Sequence, residues 1–166
     1  MSFIVGIDGP AGTGKGTITN LVAKDLKLNQ IDTGAMYRAF TLYMLDNKVE
    51  LDEIEKIKEL LEKVKIDLIQ EDDKETVFLN GKDVTKEIRS KSVTNFVSPV
   101  SSIIEVRIKM VELQRKMAEG KNVIMEGRDI TTYVFPNANV KIYLDANVEE
   151  RAKRRYKENI EKGMQT

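Results

Sequence analysis

The sequence predicts an α/β fold in which a mainly parallel, doubly wound sheet is flanked by helices and carries a small antiparallel insertion. An apolar run of strand length at residues 3–7 leads through a glycine-rich loop into a stretch with helical apolar spacing. Strand and helix candidates then alternate along most of the chain, which is typical of a parallel sheet. In the middle, an Asn80-Gly81 pair follows two short strand candidates and favours a tight hairpin turn.

Three helices are predicted before about Lys63, because apolar residues recur there at intervals of three and four. Their apolar positions are 18, 21, 22 and 26 in the first helix, 36, 40, 43 and 44 in the second, and 54, 57, 60, 61 and 64 in the third. The stretches "VKIDLIQ" and "ETVFLNG" then predict two short strands around an acidic turn. We therefore expect a small antiparallel insertion at about residues 64–85.

The second half of the chain returns to alternating helix and strand. Ile104, Ile108, Val111 and Met117 are predicted to lie on one side of a helix that Gly120 ends. The stretches "NVIM" and "VKIYL" predict two further strands, each ending at an acidic residue. A polar, basic helix is expected last, with a capping asparagine at position 147 and a glycine stop at position 163.

Composition limits the chemistry. The chain has 166 residues, enough for one compact domain with an insertion, and carries 27 basic and 27 acidic side chains. This balance predicts no nucleic-acid or membrane partner. Without cysteine or histidine, the sequence excludes thiol nucleophiles, histidine bases and the usual zinc clusters. The N-terminus begins directly with a strand candidate, and no apolar run approaches the ~20 residues of a membrane span. We expect a cytoplasmic protein.

The loop "GIDGPAGTGKGT" is typical of phosphate binding, since backbone amides and a helix N-terminus attract a polyphosphate. Lys15 is predicted to reach the outer phosphates and Thr17 to donate from the first helical turn. The hydroxyl residue usual after the lysine is replaced by Gly16. We therefore expect no direct protein ligand to a metal, and place Glu126 or Asp32 near Mg²⁺ through water. The alternative interpretation is a turn rich in small residues.

Five stretches together resemble the bacterial cytidylate kinase family, in matching order along essentially the whole chain: "GPAGTGKGT", "DTGAMYR", "VSPVSSIIEVR", "EGRDI" and "VFPNANVKIYLDA". The Gly-Lys-Gly-Thr form of the loop is that of nucleoside monophosphate kinases. The resemblance implies a P-loop kinase fold, with transfer of the γ-phosphoryl group of ATP, with Mg²⁺, to CMP or dCMP. We expect a monomer that acts on these small molecules.

The resemblance also implies roles for residues that bind ATP or transfer the phosphoryl group. Those placed at ATP are Gly9, Pro10, Ala11, Gly12, Thr13, Gly14, Lys15, Gly16 and Thr17. Lys15, Arg128 and Arg154 would be catalytic, with Arg151, Arg154 and Arg155 near a lid that closes over ATP. The alternative for the "RAKRR" run is a solvated helix face.

At the acceptor, the resemblance places Arg38, Thr33 and Arg128 at the phosphate, where arginine makes paired charge-assisted bonds. Ser98, Arg107 and Asp129 would read cytosine. A carboxylate accepts from the exocyclic amine of cytosine and repels the oxygen that uracil presents there. The alternatives are surface ion pairs for the arginines, a helix cap for Asp129 and a solvated helix face for Arg107.

The resemblance divides the chain into a kinase core at 1–63 and 102–145, a monophosphate-binding insertion at 64–101 and the start of a lid helix at 146–166. Thr131 stands where the family usually has glycine, and Glu126 where aspartate is common. The chain stops where the family continues with the rest of the lid, a strand and a helix. We expect a truncated chain, or a sequence that covers only part of one; a truncated enzyme would bind nucleotides weakly and turn over poorly.

Three other functions compete with this interpretation. A kinase of AMP, UMP or shikimate could use the same scaffold. A GTPase-type switch is disfavoured, because the sequence has no Asp-x-x-Gly sensor and its near match to a guanine-reading motif, at Asn47, lies too early in the chain. A truncated, catalytically impaired nucleotide-binding module is the third alternative.

Overall fold

The computed structural model of the chain describes residues 2–10, 12–71 and 74–145, together with residues 156, 157, 160, 161 and 163. The chain divides into two compact units: the first contains the described residues among 1–33 and 112–161, the second those among 34–111 and 162–166. Within these described ranges, no helix is both long and apolar enough to cross a membrane. The predicted cap at Asn147 lies outside them.

The structure contains the helices and strands predicted for residues 3–143, together with further elements. In chain order they are β1 (Ile4–Asp8), α1 (Lys15–Leu26), β2 (Asn29–Asp32), α2 (Thr33–Asp46), α3 (Ile54–Lys63), β3 (Ile66–Glu71), β4 (Lys74–Leu79), β5 (Lys82–Asp83), a 3-10 turn (Glu87–Arg89), α4 (Lys91–Ser101), α5 (Ile104–Ala118), β6 (Val123–Gly127), a π turn (Ile130–Val134) and β7 (Val140–Tyr143).

The first unit is built on a four-stranded sheet with the order β2-β6-β1-β7. Every neighbouring pair is parallel, with Ile7 opposite Glu126 and Asp32 also opposite Glu126. Its core consists of Val5, Ile7, Ala23 and Ile124, with Ile18, Val22, Leu28, Ile142 and Leu144 packed against it. The predicted parallel sheet is confirmed, and its strands all end at one edge.

Helix α1 packs on this sheet through a narrower face than its apolar spacing indicates. Thr19 and Ala23 are its buried residues, whereas Leu21 and Leu26 are 58% and 61% exposed. The predicted helix is present, but its apolar spacing does not define its packed face. Small side chains at 19 and 23 let the helix lie close to the strands, with Ile18 and Val22 packed beside them, whereas Leu21 and Leu26 face outward.

Thr19 offers a test of the packing under the loop. Its side chain is 0% exposed, and its hydroxyl has no hydrogen-bond partner among the described residues. A buried hydroxyl without a partner costs free energy, so Thr19→Val should raise the free energy of unfolding by about 1 kcal/mol in urea titrations.

Thr41 provides the matched control. It is equally buried, but its hydroxyl donates to the Tyr37 carbonyl at 2.8 Å. Thr41→Val should therefore lower the free energy of unfolding by about 1 kcal/mol. Equal losses in the two variants would contradict the assignment of an unpartnered hydroxyl at position 19.

The second unit contains the three-stranded antiparallel sheet β3-β4-β5, which confirms the predicted antiparallel insertion. Asn80 and Gly81 have φ angles of 50° and 84°, as the predicted tight turn requires. Beside it, Asp83 accepts from the Thr85 amide at 3.0 Å and the Thr85 hydroxyl at 2.6 Å. These two bonds lower the pKa of the Asp83 carboxyl.

Other features also differ from the sequence-based expectation. Strand β2 and helix α4 are both additional elements. The apolar side predicted for α5 is wrong, since Ile104 and Ile108 are 67% and 54% exposed. The buried positions of α5 are Val106, Met110, Val111, Gln114 and Ala118. Because the buried positions include the polar Gln114, the spacing of apolar residues alone does not identify this face.

Candidate active site

Three acidic residues lie at the carboxyl ends of neighbouring strands in the first unit. Asp32 is opposite Glu126 in the β2–β6 register, and Asp8 is opposite Gly127 in the β1–β6 register. The glycine loop leaves the same edge directly after Asp8. In parallel α/β sheets this edge is where ligands bind.

The loop owes its shape to glycines in conformations that other residues rarely adopt. Gly12 and Gly14 have φ angles of 78° and 87°, and Gly14 is the left-handed residue that precedes α1. The Thr13 hydroxyl donates to the Pro10 carbonyl at 3.0 Å and tightens the turn. The backbone thus brings the N-terminus of α1, with its partial positive charge, directly to the loop.

Lys15 folds back over its own loop. Its ammonium donates to the Gly9 carbonyl at 2.7 Å and to the Pro10 carbonyl at 2.9 Å. The side chain is half-buried, so a compact positive charge is held against the backbone of the loop. An incoming anion would offer this ammonium stronger, charge-assisted acceptors than two carbonyl groups.

Gly16 lies beside the Glu126 carboxylate. A Cβ atom at position 16 would lie 3.6 and 3.7 Å from the two carboxylate oxygens. The place where a P-loop usually carries a hydroxyl therefore adjoins a carboxylate in this chain. Among the residues that the structure describes, no group of three or more acidic, histidine or cysteine side chains is arranged to hold a metal. Glu126 with Asp32 supplies oxygen donors of the type Mg²⁺ prefers.

Hydrogen bonds tie the end of β6 to the loop and to the start of α2. The Gly9 amide donates to the Gly127 carbonyl at 3.2 Å. The Thr33 hydroxyl donates to the Glu126 carbonyl at 2.9 Å, and Thr33 is 8% exposed. Thr33 is thus placed next to Glu126, and its proton is committed to the backbone.

Arg128 and Asp129 follow β6 and precede the π turn. Arg128 is exposed and Asp129 is half-buried, and the Asp129 side chain makes no cap bond to the turn. The turn is held instead by Asp8, whose carboxylate accepts from the amides of Ile130 and Thr131, both at 2.8 Å. The structure therefore brings the "EGRDI" stretch and the glycine loop together in the first unit.

The remaining acceptor residues lie in the second unit. The Arg38 guanidinium on α2 donates to the Ile88 carbonyl at 3.1 Å and to the Thr94 hydroxyl at 3.0 Å. Ser98 is exposed near the end of α4, and Arg107 is exposed on α5. Arg151, Arg154 and Arg155 lie outside the described residues.

A family model for cytidylate kinase matches residues 5–166 of the chain. The chain belongs to the cytidylate kinase family. It is 50% identical over 159 residues to a cytidylate kinase of Halalkalibacterium halodurans, covering 96% of this chain and 72% of that protein. It is 52% identical over 159 residues to one of Geobacillus sp., covering 96% and 71%, and 51% identical over 165 residues to one of Leuconostoc mesenteroides, covering 99% and 74%.

Members of the cytidylate kinase family act on small-molecule nucleotide substrates. One residue in each unit supports a predicted site residue but has no role predicted from the sequence: Asp8 in the first unit and Thr94 in the second. Asp8 had a local signal, an acidic residue at the end of a buried strand directly before the loop. Thr94 had none, because its bond to Arg38 depends on how α2 and α4 pack.

Proposed function

We propose that the chain transfers the γ-phosphoryl group of ATP to CMP or dCMP. The observation that carries the proposal is Lys15 held over a glycine loop at the carboxyl edge of a parallel sheet, in a chain of the cytidylate kinase family. Phosphoryl transfer is catalysed mainly by positioning and charge neutralisation, and needs no histidine or covalent nucleophile. The composition of the chain is compatible with this chemistry.

At the donor, residues 9–17 and the N-terminus of α1 bind the phosphates of ATP, chiefly through backbone N–H groups that follow Pro10, which has none itself. Lys15 exchanges its carbonyl partners for the outer phosphate oxygens and offsets the charge that develops on the transferring group. An oxygen of the CMP phosphate forms the new P–O bond while the bond from the γ-phosphorus to the leaving ADP oxygen breaks. Arg128 and a lid arginine, chiefly Arg154, add positive charge to the same group.

Mg²⁺ fits the carboxylate pair described above. Glu126 and Asp32 would hold the ion through its waters, because no third acidic, histidine or cysteine side chain among the described residues joins them in a closed metal site. When bound, the ion neutralises phosphate charge and orients the oxygens of ATP. Glu126 beside Gly16 supports this position.

At the acceptor, Arg38 and Arg128 bind the phosphate of CMP, with Thr33 nearby. The Ile88 carbonyl and the Thr94 hydroxyl fix the direction of the Arg38 guanidinium before substrate arrives, which lowers the entropy lost on binding. Ser98, Arg107 and Asp129 read the base. We further propose that residues 64–101 form the monophosphate-binding insertion and that residues 146–166 begin the lid.

The proposal is tested by measuring ADP formation with CMP, dCMP, UMP, AMP and shikimate as acceptors. We expect kcat/KM for CMP and dCMP to exceed that for UMP and AMP at least ~10-fold, because one well-made polar contact to a base is worth about 1–3 kcal/mol. A preference for UMP, AMP or shikimate would overturn the acceptor assignment. Nucleotide binding without turnover of any acceptor would favour the binding module.

Asp129→Asn tests the reading of the base in the same assay. The amide can donate to the oxygen of uracil, so the CMP-to-UMP ratio of kcat/KM should fall about 10-fold. Asp145→Asn is the control, since this carboxylate lies in the same unit but is exposed and has no proposed contact with the base. An unchanged ratio in Asp129→Asn would remove Asp129 from the base site.

A further inference from the structure

Among the described residues, Asp8 is the only buried residue with a charged side chain, and only 3% of its surface is exposed. A buried carboxylate is costly unless hydrogen bonds satisfy it. Here three donors do so: the Ile130 amide at 2.8 Å, the Thr131 amide at 2.8 Å and the Thr131 hydroxyl at 2.6 Å. All three belong to the π turn, so the carboxylate and the turn stabilise each other.

The turn also fits closely against the sheet. A Cβ atom at Gly6 would lie 2.9 Å from the Thr131 methyl group and 3.1 Å from Ile130 Cγ2. At Gly127 it would lie 3.0 Å from Ile130 Cγ1. Glycines on β1 and β6 therefore make the space that the turn fills, and leave it little freedom to shift along the strands.

The opposite end of the turn is held by a positive charge. Arg115 of α5 donates to the carbonyls of Tyr133 and Val134, both at 3.0 Å, and its guanidinium lies 5.8 Å from the centre of the Tyr133 ring. A carboxylate at the amide end and a guanidinium at the carbonyl end both match the dipole of the turn. The turn is thus fixed at each end by a charged side chain.

Asp8 connects this turn to the nucleotide loop. Its own carbonyl accepts from the Leu144 amide at 2.8 Å, and the next residue, Gly9, donates to the Gly127 carbonyl at 3.2 Å. Arg128 and Asp129 occupy the two positions between Gly127 and the turn. Their backbone is therefore held on one side by the bond at Gly127 and on the other by the bonds of Asp8.

We propose that Asp8 is a positioning residue that orients Arg128 and Asp129 toward the acceptor through the π turn. The inference rests on the proposed function, in which those two residues bind CMP. Thr131 adds a third donor where a glycine would supply only its amide. The carboxylate acts through backbone and hydroxyl groups and makes no contact with either substrate.

Asp8→Asn keeps the shape of the side chain but sets an amide group against the N–H donors of the turn. We expect the KM for CMP, and the calorimetric Kd for CMP, to rise about 10-fold. This is the lower end of the loss seen at metal sites when a hydrogen-bond partner that orients a ligand is removed. The KM for ATP should stay within about twofold, because the backbone bonds of Asp8 and Gly9 do not depend on the carboxylate. A merely structural loss would lower the melting temperature and the active fraction without separating the two constants.

Two substitutions at position 131 test the contribution of a single donor to the Asp8 carboxylate. Thr131→Val removes one of the three donors and should raise the KM for CMP about threefold, since one hydrogen bond is worth about 1 kcal/mol. Thr131→Ser keeps the hydroxyl and should stay within about twofold of the unchanged chain. Asp25→Asn and Thr132→Val make the same chemical changes at exposed positions of the first unit and should leave both constants unchanged.

The inference is overturned if folded Asp8→Asn retains its KM for CMP, or if the KM values for CMP and ATP rise equally. Should Asp8→Asn not fold, the difference between Thr131→Val and Thr131→Ser decides, and its absence overturns the inference. If the unchanged chain prefers another acceptor, the proposed function fails by itself. The same series read with that acceptor then supports or overturns the role of Asp8.

Discussion

Lys15→Met should lower kcat about 100- to 1,000-fold, the cost of removing one preorganised charge or donor from a transition state. The ammonium already lies at the loop, 2.7 Å from the Gly9 carbonyl and 2.9 Å from the Pro10 carbonyl. It therefore needs only to exchange partners when phosphate arrives. Methionine keeps most of the aliphatic length but carries no charge. Turnover of CMP at saturating ATP measures the effect.

The same variant should lower the melting temperature by about 10 °C, because the ammonium loses its bonds to the Gly9 and Pro10 carbonyls and a hydrogen bond from a charged group contributes about 1.5–3 kcal/mol. Lys24→Met is the matched control, an exposed lysine on the same helix. It should retain full turnover. A folded Lys15→Met protein with full activity would exclude Lys15 from phosphoryl transfer.

The glycine loop could be predicted from the sequence because its signal is local. A buried strand, left-handed glycines and a helix start follow one another within about 20 residues, and each is visible in the residue types themselves. The hairpin turn at Asn80 and Gly81 is local in the same way, since both residues tolerate positive φ. Such elements need no knowledge of distant partners.

Strand β2 and helix α4 lack a signal of this kind. The strand is four residues long and includes Asn29 and Gln30, so its pairing with β6 decides its conformation more than its composition does. Helix α4 is rich in valine and serine and contains Pro99. It begins where the Ser90 hydroxyl accepts from the Val93 amide at 3.3 Å. Tertiary contacts outweigh weak helix propensity in this segment.

Among the site residues, those in motifs could be named from the sequence, whereas those that support them could not. Lys15 follows from the loop alone. The bonds from Asp8 to the π turn join residues 122 and 123 positions apart, and the bond from Arg38 to Thr94 spans 56 positions. Contacts at such separations leave no periodic pattern in one sequence.

The surroundings of Gly16 could be seen only in the structure. From the sequence, the missing hydroxyl is a departure from the usual loop. In the structure, the backbone of residue 16 adjoins the Glu126 carboxylate, and Glu126 pairs in register with Asp32 on the neighbouring strand. The Glu126 carboxylate thus lies on the side of the loop where, in the usual P-loop, a hydroxyl group would coordinate the metal. This arrangement suits an ion held through water.

Gly9→Ala is expected to be the most damaging change to stability in the first unit. An added Cβ would lie 2.2 Å from the Leu144 carbonyl oxygen, and the φ angle of Gly9 is 155°. That carbonyl cannot easily withdraw, because the Leu144 amide is bonded to the Asp8 carbonyl at 2.8 Å. The backbone must move, so we expect the free energy of unfolding to fall by about 3 kcal/mol, with loss of ATP binding as the loop shifts.

Gly120→Ala separates steric overlap from backbone strain. Gly120 has a φ angle of 67°, but nothing lies within 4 Å of its added Cβ. Gly120→Ala should therefore lower the free energy of unfolding by only about 1 kcal/mol, the penalty of a left-handed non-glycine residue. Urea titrations of both variants, with calorimetry of ATP binding, measure the difference. Equal losses would mean that β7 does not pack on the loop as closely as the Leu144 carbonyl indicates, and ATP binding by Gly9→Ala would show that the loop tolerates the shift.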